Sequence, residues 1–276
     1  MHIDIDHITK YSFSHPTKMV IQTLRLTPQS NSVQNILSWD INVDCDAKLS
    51  PFYDAYGNLC HLLAIEEPVQ EFSIEVIGSV DTYSTSGVIA DLDANFPLAV
   101  YKRFTSLACF SPELKEFAFT VANEKDDLGK AHQLLGEIYK IMRFDTSATD
   151  AQTDAVQAFA AKSGVCQDYA HIFIACSRLL GMPSRYVSGH LLRQDGANLQ
   201  EASHAWAETY ISGLGWVAFD PANGICSDEH YVKVAIGLDY RDAAPIAGAR
   251  YGGGQETLSV GLNVRKAGLQ FQSQSQ

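Results

Sequence analysis

The apolar residues of this chain keep one spacing up to about residue 83 and another after residue 96, and few folds accommodate both. In the first stretch Leu37, Trp39, Ile41, Val43 and Cys45 alternate with Ser38, Asp40, Asn42 and Asp44. That is the period of a strand with one buried face. Residues 19–26, 59–65 and 72–80 read the same way, with a turn signal at Tyr56-Gly57-Asn58. An antiparallel β-sandwich or barrel is therefore expected over residues 1–85, followed by a polar linker at 86–95.

Beyond the linker the period becomes helical. Leu128, Ala131, Leu134, Leu135, Ile138, Ile141 and Met142 form one stripe over 127–143, which leaves His132 off the stripe and solvated. A second helix is expected over 150–162, capped by Thr149 or Asp150 and broken by Gly164. A third starts at Cys166. Its Ala170, Ile172, Phe173, Ile174, Ala175, Cys176, Leu179 and Leu180 are apolar almost all round, so it should be buried on most sides until Gly181 and Pro183 end it. Strands follow at 184–192, 203–211 and 216–220, the last two joined by a turn at Gly213-Leu214-Gly215. Helices followed by an antiparallel meander make an α+β core, expected over 96–265 with a C-terminal extension that includes an alternating strand through Leu258, Val260, Leu262 and Val264. The Gln/Ser tract at 266–276 reads as a disordered tail.

A chain of 276 residues, 46% apolar, is long enough for two such cores. A net charge of -12 with no run of Lys and Arg argues against nucleic acid as a partner. The first residues lack the positive and apolar regions of a signal peptide, and no stretch is long enough to cross a bilayer, so a cytoplasmic chain without membrane contact is expected. Six cysteines lie scattered without CxxC pairs, which reads as reduced thiols, most of them small buried residues. Cys226 and His230 have a metal-like spacing but no second pair, and neither HExxH nor a calcium loop occurs. No cofactor or metal is expected.

Cys166 stands apart from the other cysteines because it falls where a loop turns into the buried helix. A free thiol with a pKa of ~8.5 reacts well near neutrality only when its anion is stabilised. Unpaired N–H groups at a helix start favour that anion. A base is still needed, and the base needs an acceptor to orient it. His204 opens one strand of the expected hairpin and Asp220 closes the next. A symmetrical turn sets residue 204 nearer to Asn223 than to Asp220, and either side chain could orient an imidazole; Asp220 is the first choice and Asn223 the second.

The words around these residues are more specific than their spacing. Gly-Val-Cys-Gln-Asp-Tyr-Ala-His at 164–171, Arg-Tyr-Val-Ser-Gly-His at 185–190, Ser-His-Ala-Trp-Ala-Glu at 203–208 and Gly-Trp-Val-Ala-Phe-Asp-Pro-Ala-Asn-Gly at 215–224 resemble, in that order, the transglutaminase-like superfamily of bacterial proteins. Leu-Arg-Leu-Thr-Pro at 24–28 and Asp-Ala-Tyr-Gly-Asn at 54–58 are similar to the β-rich region that precedes the core in this group. The resemblance implies a papain-like core with catalytic Cys166, His204 and Asp220, acting on a peptide or protein substrate.

Amide hydrolysis is the first expectation, with amine transfer to protein glutamine and a non-catalytic peptide-binding scaffold as alternatives. The backbone N–H of Cys166 is the first candidate to meet an oxyanion. His171, five residues after Cys166, points away from the sulfur on a helix and reads as packing or a supporting hydrogen bond. His190 could line the cleft or be structural. Trp206 and Trp216 read as core residues.

Overall fold

The computed structural model describes residues 1–90, 96–200 and 202–268. Part of the expected linker, 91–95, and most of the expected polar tail, 269–276, lie outside the described residues. The first strand, β1 (His2–Leu24), organises the N-terminal region. Ile3, Ile5, His7, Thr9, Tyr11 and Phe13 alternate along it into the interior, and β2 (Gln34–Val43), β3 (Lys48–Tyr53), β4 (Leu59–Ile65) and β5 (Val69–Thr82) build on it.

Strand β1 is long enough to serve twice. Its first half pairs with β5, and its second half, after a register shift between Ser12 and Thr17, pairs with β4. Pro16 falls inside that shift, where the missing N–H costs no ladder hydrogen bond. All of these pairings are antiparallel.

The core begins with β6 (Val88–Ile89) and continues through α1 (Pro112–Phe119), α2 (Asp127–Ile141), β7 (Arg143–Phe144), α3 (Ala155–Ala161), β8 (Ser163–Gly164) and α4 (Cys166–Leu179). It is completed by β9 (Ser184–Leu191), β11 (His204–Ile211), β12 (Gly215–Asp220), β13 (Ile225–Cys226) and β14 (Tyr231–Gly237), whereas β10 (Leu199–Gln200), between β9 and β11, pairs with Leu262 and Asn263 in the first sheet. The antiparallel sheet runs β13-β12-β11-β9-β14, with β6 added to β12. The helices cover one face, where Ile172, Phe173 and Ala175 of α4 meet Ala205, Ala207 and Phe219. Trp206 and Trp216 fill the other face together with Tyr101 and Ile89. This is the expected α+β arrangement, a β-rich N-terminal part followed by helices on an antiparallel sheet. No helix among the described residues is long and apolar enough to cross a membrane.

One local expectation changes. Helix α3 starts at Ala155, with Asp154 as its cap, and not at 150. Asp154 accepts from Gln157 N at 2.9 Å while Gln157 Oε1 accepts from Asp154 N at 3.0 Å. That reciprocal pair satisfies two end groups at once. Asp150 has Thr153 at the equivalent position and closes a turn on Gln152 N instead, at 2.8 Å. At its other end the helix closes as expected, on Lys162, which lies in the left-handed region with φ 52°.

After α5 (Tyr240–Ala243), the chain leaves the core. Strands β15 (Ile246–Gly252) and β16 (Glu256–Lys266) flank β1 on the side opposite β4 and β5, so the extension read from sequence as following the core closes the first sheet.

The two sheets are fastened at β14, an edge strand of the core. Gln34 donates to Lys233 O and accepts from Lys233 N, both at 2.8 Å. Asn58 does the same at Ile236, again with both bonds at 2.8 Å. Each side-chain amide imitates a neighbouring strand, which satisfies edge groups that would otherwise be open to another chain.

Candidate active site

Cys166 is the first residue of α4, and the turn before it is shaped by Asp168. The buried Asp168 carboxylate accepts from Val165 N at 2.7 Å and from Thr149 Oγ1 at 2.6 Å. Burial pushes its pKa up, although both donors oppose that. This fold-back requires glycine at 164, because a Cβ there would sit 2.4 Å from Asp168 Oδ2. At the far end of α4 the buried Arg178 donates to the carbonyls of Tyr101, Ser184 and Leu238 at 2.7–3.1 Å. The half-buried Cys166 thus begins a helix fixed at both ends, and its own N–H, in the first turn, has no carbonyl partner within the helix.

His204 begins β11. The hairpin pairs Ala207 with Phe219 and Ile211 with Gly215, and continuing that register sets His204 across from Ala222. Asp220 lies diagonally opposite on the same face. Its Oδ2 is 2.6 Å from His204 Nε2. The Cys166 thiol lies within hydrogen-bonding reach of the imidazole, and Nδ1 is the ring nitrogen that Asp220 leaves for it. Burial disfavours the imidazolium, but the charges of Asp220 and Cys166 outweigh it and raise the His204 pKa to about 10.

Asp220 is fully buried and accepts five hydrogen bonds. His204, Asn223 Nδ2 and Tyr231 Oη meet Oδ2 at 2.6, 2.7 and 2.7 Å. The N–H groups of Ala222 and Asn223 meet Oδ1 at 3.0 and 3.3 Å. Burial alone would raise the carboxyl pKa; His204 and the donors bring it below the ordinary value. Asn223, the second choice from sequence, belongs to the same cluster but bonds the carboxylate.

The remaining candidates fall elsewhere. His171 is buried, accepts from Tyr240 N at 3.1 Å and packs on Tyr186 with centroids 5.1 Å apart. Burial and Arg178 hold its pKa down to about 3. His190 is buried against His7 of the N-terminal sheet, centroids 5.9 Å apart. His132 is exposed at the surface of α2. Cys226 lies in β13, while His230 bonds Asp228 at 2.9 Å. Two supporting side chains carry no sequence signal for that role, Thr149 on Asp168 and Tyr231 on Asp220. By its position Thr149 reads as a helix cap, and no spacing rule connects Tyr231, on the far edge strand, with a hairpin two strands away.

A cysteine at the head of a buried helix, facing a histidine and an aspartate from adjacent antiparallel strands, is the arrangement of papain-like and transglutaminase-like folds. Family profiles narrow this further. The profile of the transglutaminase-like superfamily matches residues 115–221, and that of the bacterial transglutaminase-like N-terminal region matches residues 3–81. The chain belongs to the transglutaminase-like superfamily. It is 26% identical over 279 residues to an uncharacterized protein of Mycobacterium leprae, covering 94% of this chain and 97% of that one. An uncharacterized protein of Mycobacterium tuberculosis is 26% identical over 287 residues, covering 94% and 91%. Among solved structures, a candidate cysteine protease from Cytophaga hutchinsonii superposes with a TM-score of 0.79 at 22% identity, over 98% of this chain and 92% of that one. That likeness extends through both the N-terminal sheet and the core.

Proposed function

We propose that the protein is a cysteine-dependent acyl-transfer enzyme that hydrolyses amide bonds in peptide or protein substrates, isopeptide bonds included. Cys166 is the nucleophile, His204 the general acid and base, and Asp220 the carboxylate that orients the imidazole. The observation that carries this reading is the 2.6 Å contact between His204 Nε2 and Asp220 Oδ2, on an imidazole that also interacts with the Cys166 thiol. A histidine held in this way by a carboxylate keeps one tautomer and one direction.

In the first step the Cys166 thiol passes its proton to His204 and the sulfur attacks the amide carbon. The carbonyl oxygen becomes an oxyanion facing the N–H of Cys166. Collapse breaks the C–N bond, and His204 delivers its proton to the departing amine. In the second step water attacks the thioester while His204 takes a proton from it. The C–S bond breaks, the carboxylic acid leaves, and the thiol is restored. Water is our choice of acceptor because it requires no binding site of its own.

The test is iodoacetamide labelling from pH 5 to 8, with the modified cysteine mapped by mass spectrometry. Cys166 should label roughly tenfold or more faster at pH 6 than a free thiol, and His204→Ala should abolish the difference. If Cys166 labels no faster than a free thiol and ignores the histidine change, the reading fails. A peptide library with a labelled amine present then separates hydrolysis from transfer, since amine incorporation that outruns acid release would make the enzyme a transferase.

A further inference from the structure

The Asp220 carboxylate has one partner that comes from neither the hairpin nor α4. Tyr231 opens β14, its Oη is 2.7 Å from Asp220 Oδ2, and that is the same oxygen His204 uses. An ionised carboxylate only accepts, so the phenol is the donor. The ring is buried and also touches the site, with its centroid 5.9 Å from that of His204 and 5.4 Å from that of Trp206.

We infer that Tyr231 is a positioning residue for the site proposed above, holding the Asp220 carboxylate in place and limiting how much of its charge reaches His204. The proposal rests on that functional reading. Three donors share Oδ2, so each takes part of the charge that would otherwise stabilise the imidazolium. An imidazolium held too strongly is a poor acid toward a leaving amine. Tyr231 keeps it releasable.

Other charges near the phenol are accounted for. Asp228, in the turn before β14, acts on it electrostatically. Behind the ring, Glu208 and Lys233 line a small cavity with it, and the buried Glu208 carboxylate is paired both with Lys233 at 3.0 Å and with Arg185 at 2.6 Å. Cys166 approaches from α4, across the imidazole. The phenol's position depends on the N-terminal sheet as well, because Gln34 grips β14 at Lys233, two residues beyond Tyr231.

Tyr231→Phe removes the hydroxyl and keeps the ring. The readout is the pH midpoint of Cys166 labelling by iodoacetamide, together with thermal stability. With the phenol gone, more of the Asp220 charge falls on His204, the thiolate–imidazolium pair forms more readily, and the midpoint should move down by about half a unit. Asn223→Ala, a change in an exposed turn, removes a second donor from the same oxygen and should move the midpoint in the same direction, which also covers the case in which the tyrosine variant folds poorly. Once a peptide substrate is in hand, kcat should fall roughly tenfold in Tyr231→Phe with KM unchanged. An unchanged midpoint in both variants overturns the proposal, even if both lose stability. Failure of the functional reading would look different, since wild-type Cys166 would then label like a free thiol before any tyrosine variant is made.

Discussion

Asp54, between β3 and β4, and Asp220, the last residue of β12, are wrapped alike by the turns that follow them and by an asparagine a few residues on. Asp54 Oδ1 accepts from the N–H groups of Tyr56 and Asn58 at 2.9 and 3.0 Å, and Oδ2 accepts from Asn58 Nδ2 at 2.9 Å. Both carboxylates also have a cysteine nearby. Beside Asp54 the Cys60 thiol points straight at Oδ2, at 3.7 Å, and burial followed by the Asp54 charge pushes its pKa up to about 11. Beside Asp220 an imidazole stands between carboxylate and sulfur. The anion that adds to burial in holding one thiol protonated would, in the proposed site, act on the other only through a ring that carries a proton.

The largest expected effect removes the carboxylate from the second of these turns. Asp220→Ala would leave the His204 ring, the Tyr231 phenol and the Asn223 amide without their shared acceptor. Turnover should fall by about 10²–10⁴-fold, measured with a peptide found by the library, and fast labelling of Cys166 should vanish. Asp54→Ala is the matched change in the other turn. It strands the Asn58 amide, which also grips Ile236, and frees Arg25 from a 3.3 Å ion pair. A loss of about 2–4 kcal/mol in urea unfolding is expected, with the pH profile of Cys166 labelling unchanged. A shifted profile would mean that the turns are coupled and not merely alike.

The imidazoles divide along the same line. His7, His171 and His190 are buried without a carboxylate bonded to the ring, and burial lowers their pKa values to about 4, 3 and 3. Each binds fewer protons folded than unfolded below about pH 6.5, so stability should drop as pH falls from there toward 4, by about 1.4 kcal/mol per pH unit for each ring that stays neutral. His204 behaves in the opposite sense. Its raised pKa contributes stability that is complete below about pH 6.5 and is lost as pH climbs through about 10. Urea midpoints from pH 4.5 to 7 should therefore slope steeply, and His190→Gln should flatten the slope while His204→Gln should not.

Much of this was legible in the chain. The change of period near residue 96 separated strands from helices, and the alternation at 203–211 and 216–220 set His204 and Asp220 on one hairpin, because local periodicity reports directly which face of an element is buried. What the hairpin's spacing left open, Asp220 or Asn223, is decided by a register that places His204 opposite Ala222. Tyr231 and the amide grips of Gln34 and Asn58 join residues 11 to 199 positions apart, and no local pattern records such distances. The return of β15 and β16 to β1 was hidden for the same reason. An alternating segment shows that it is a strand without showing which edge it will join.

The smallest change is also the one that isolates the thiol. Cys60→Ala removes a sulfur that is fully buried and bonded only weakly, to Asp54 Oδ2 and to Asn58 O at 3.5 Å. The cavity left is about one atom in size, and the Asp54 carboxylate keeps its stronger donors, so a loss of about 1 kcal/mol in urea unfolding is expected. Labelling of the native protein by iodoacetamide should not change at all, because a thiol both sheltered and held protonated contributes nothing to it. If Cys60 in the wild type instead labels at pH 7 as fast as Cys166, proximity to a carboxylate does not suppress a thiol in this protein. The imidazole between Asp220 and Cys166 would then no longer account for the difference between the two turns.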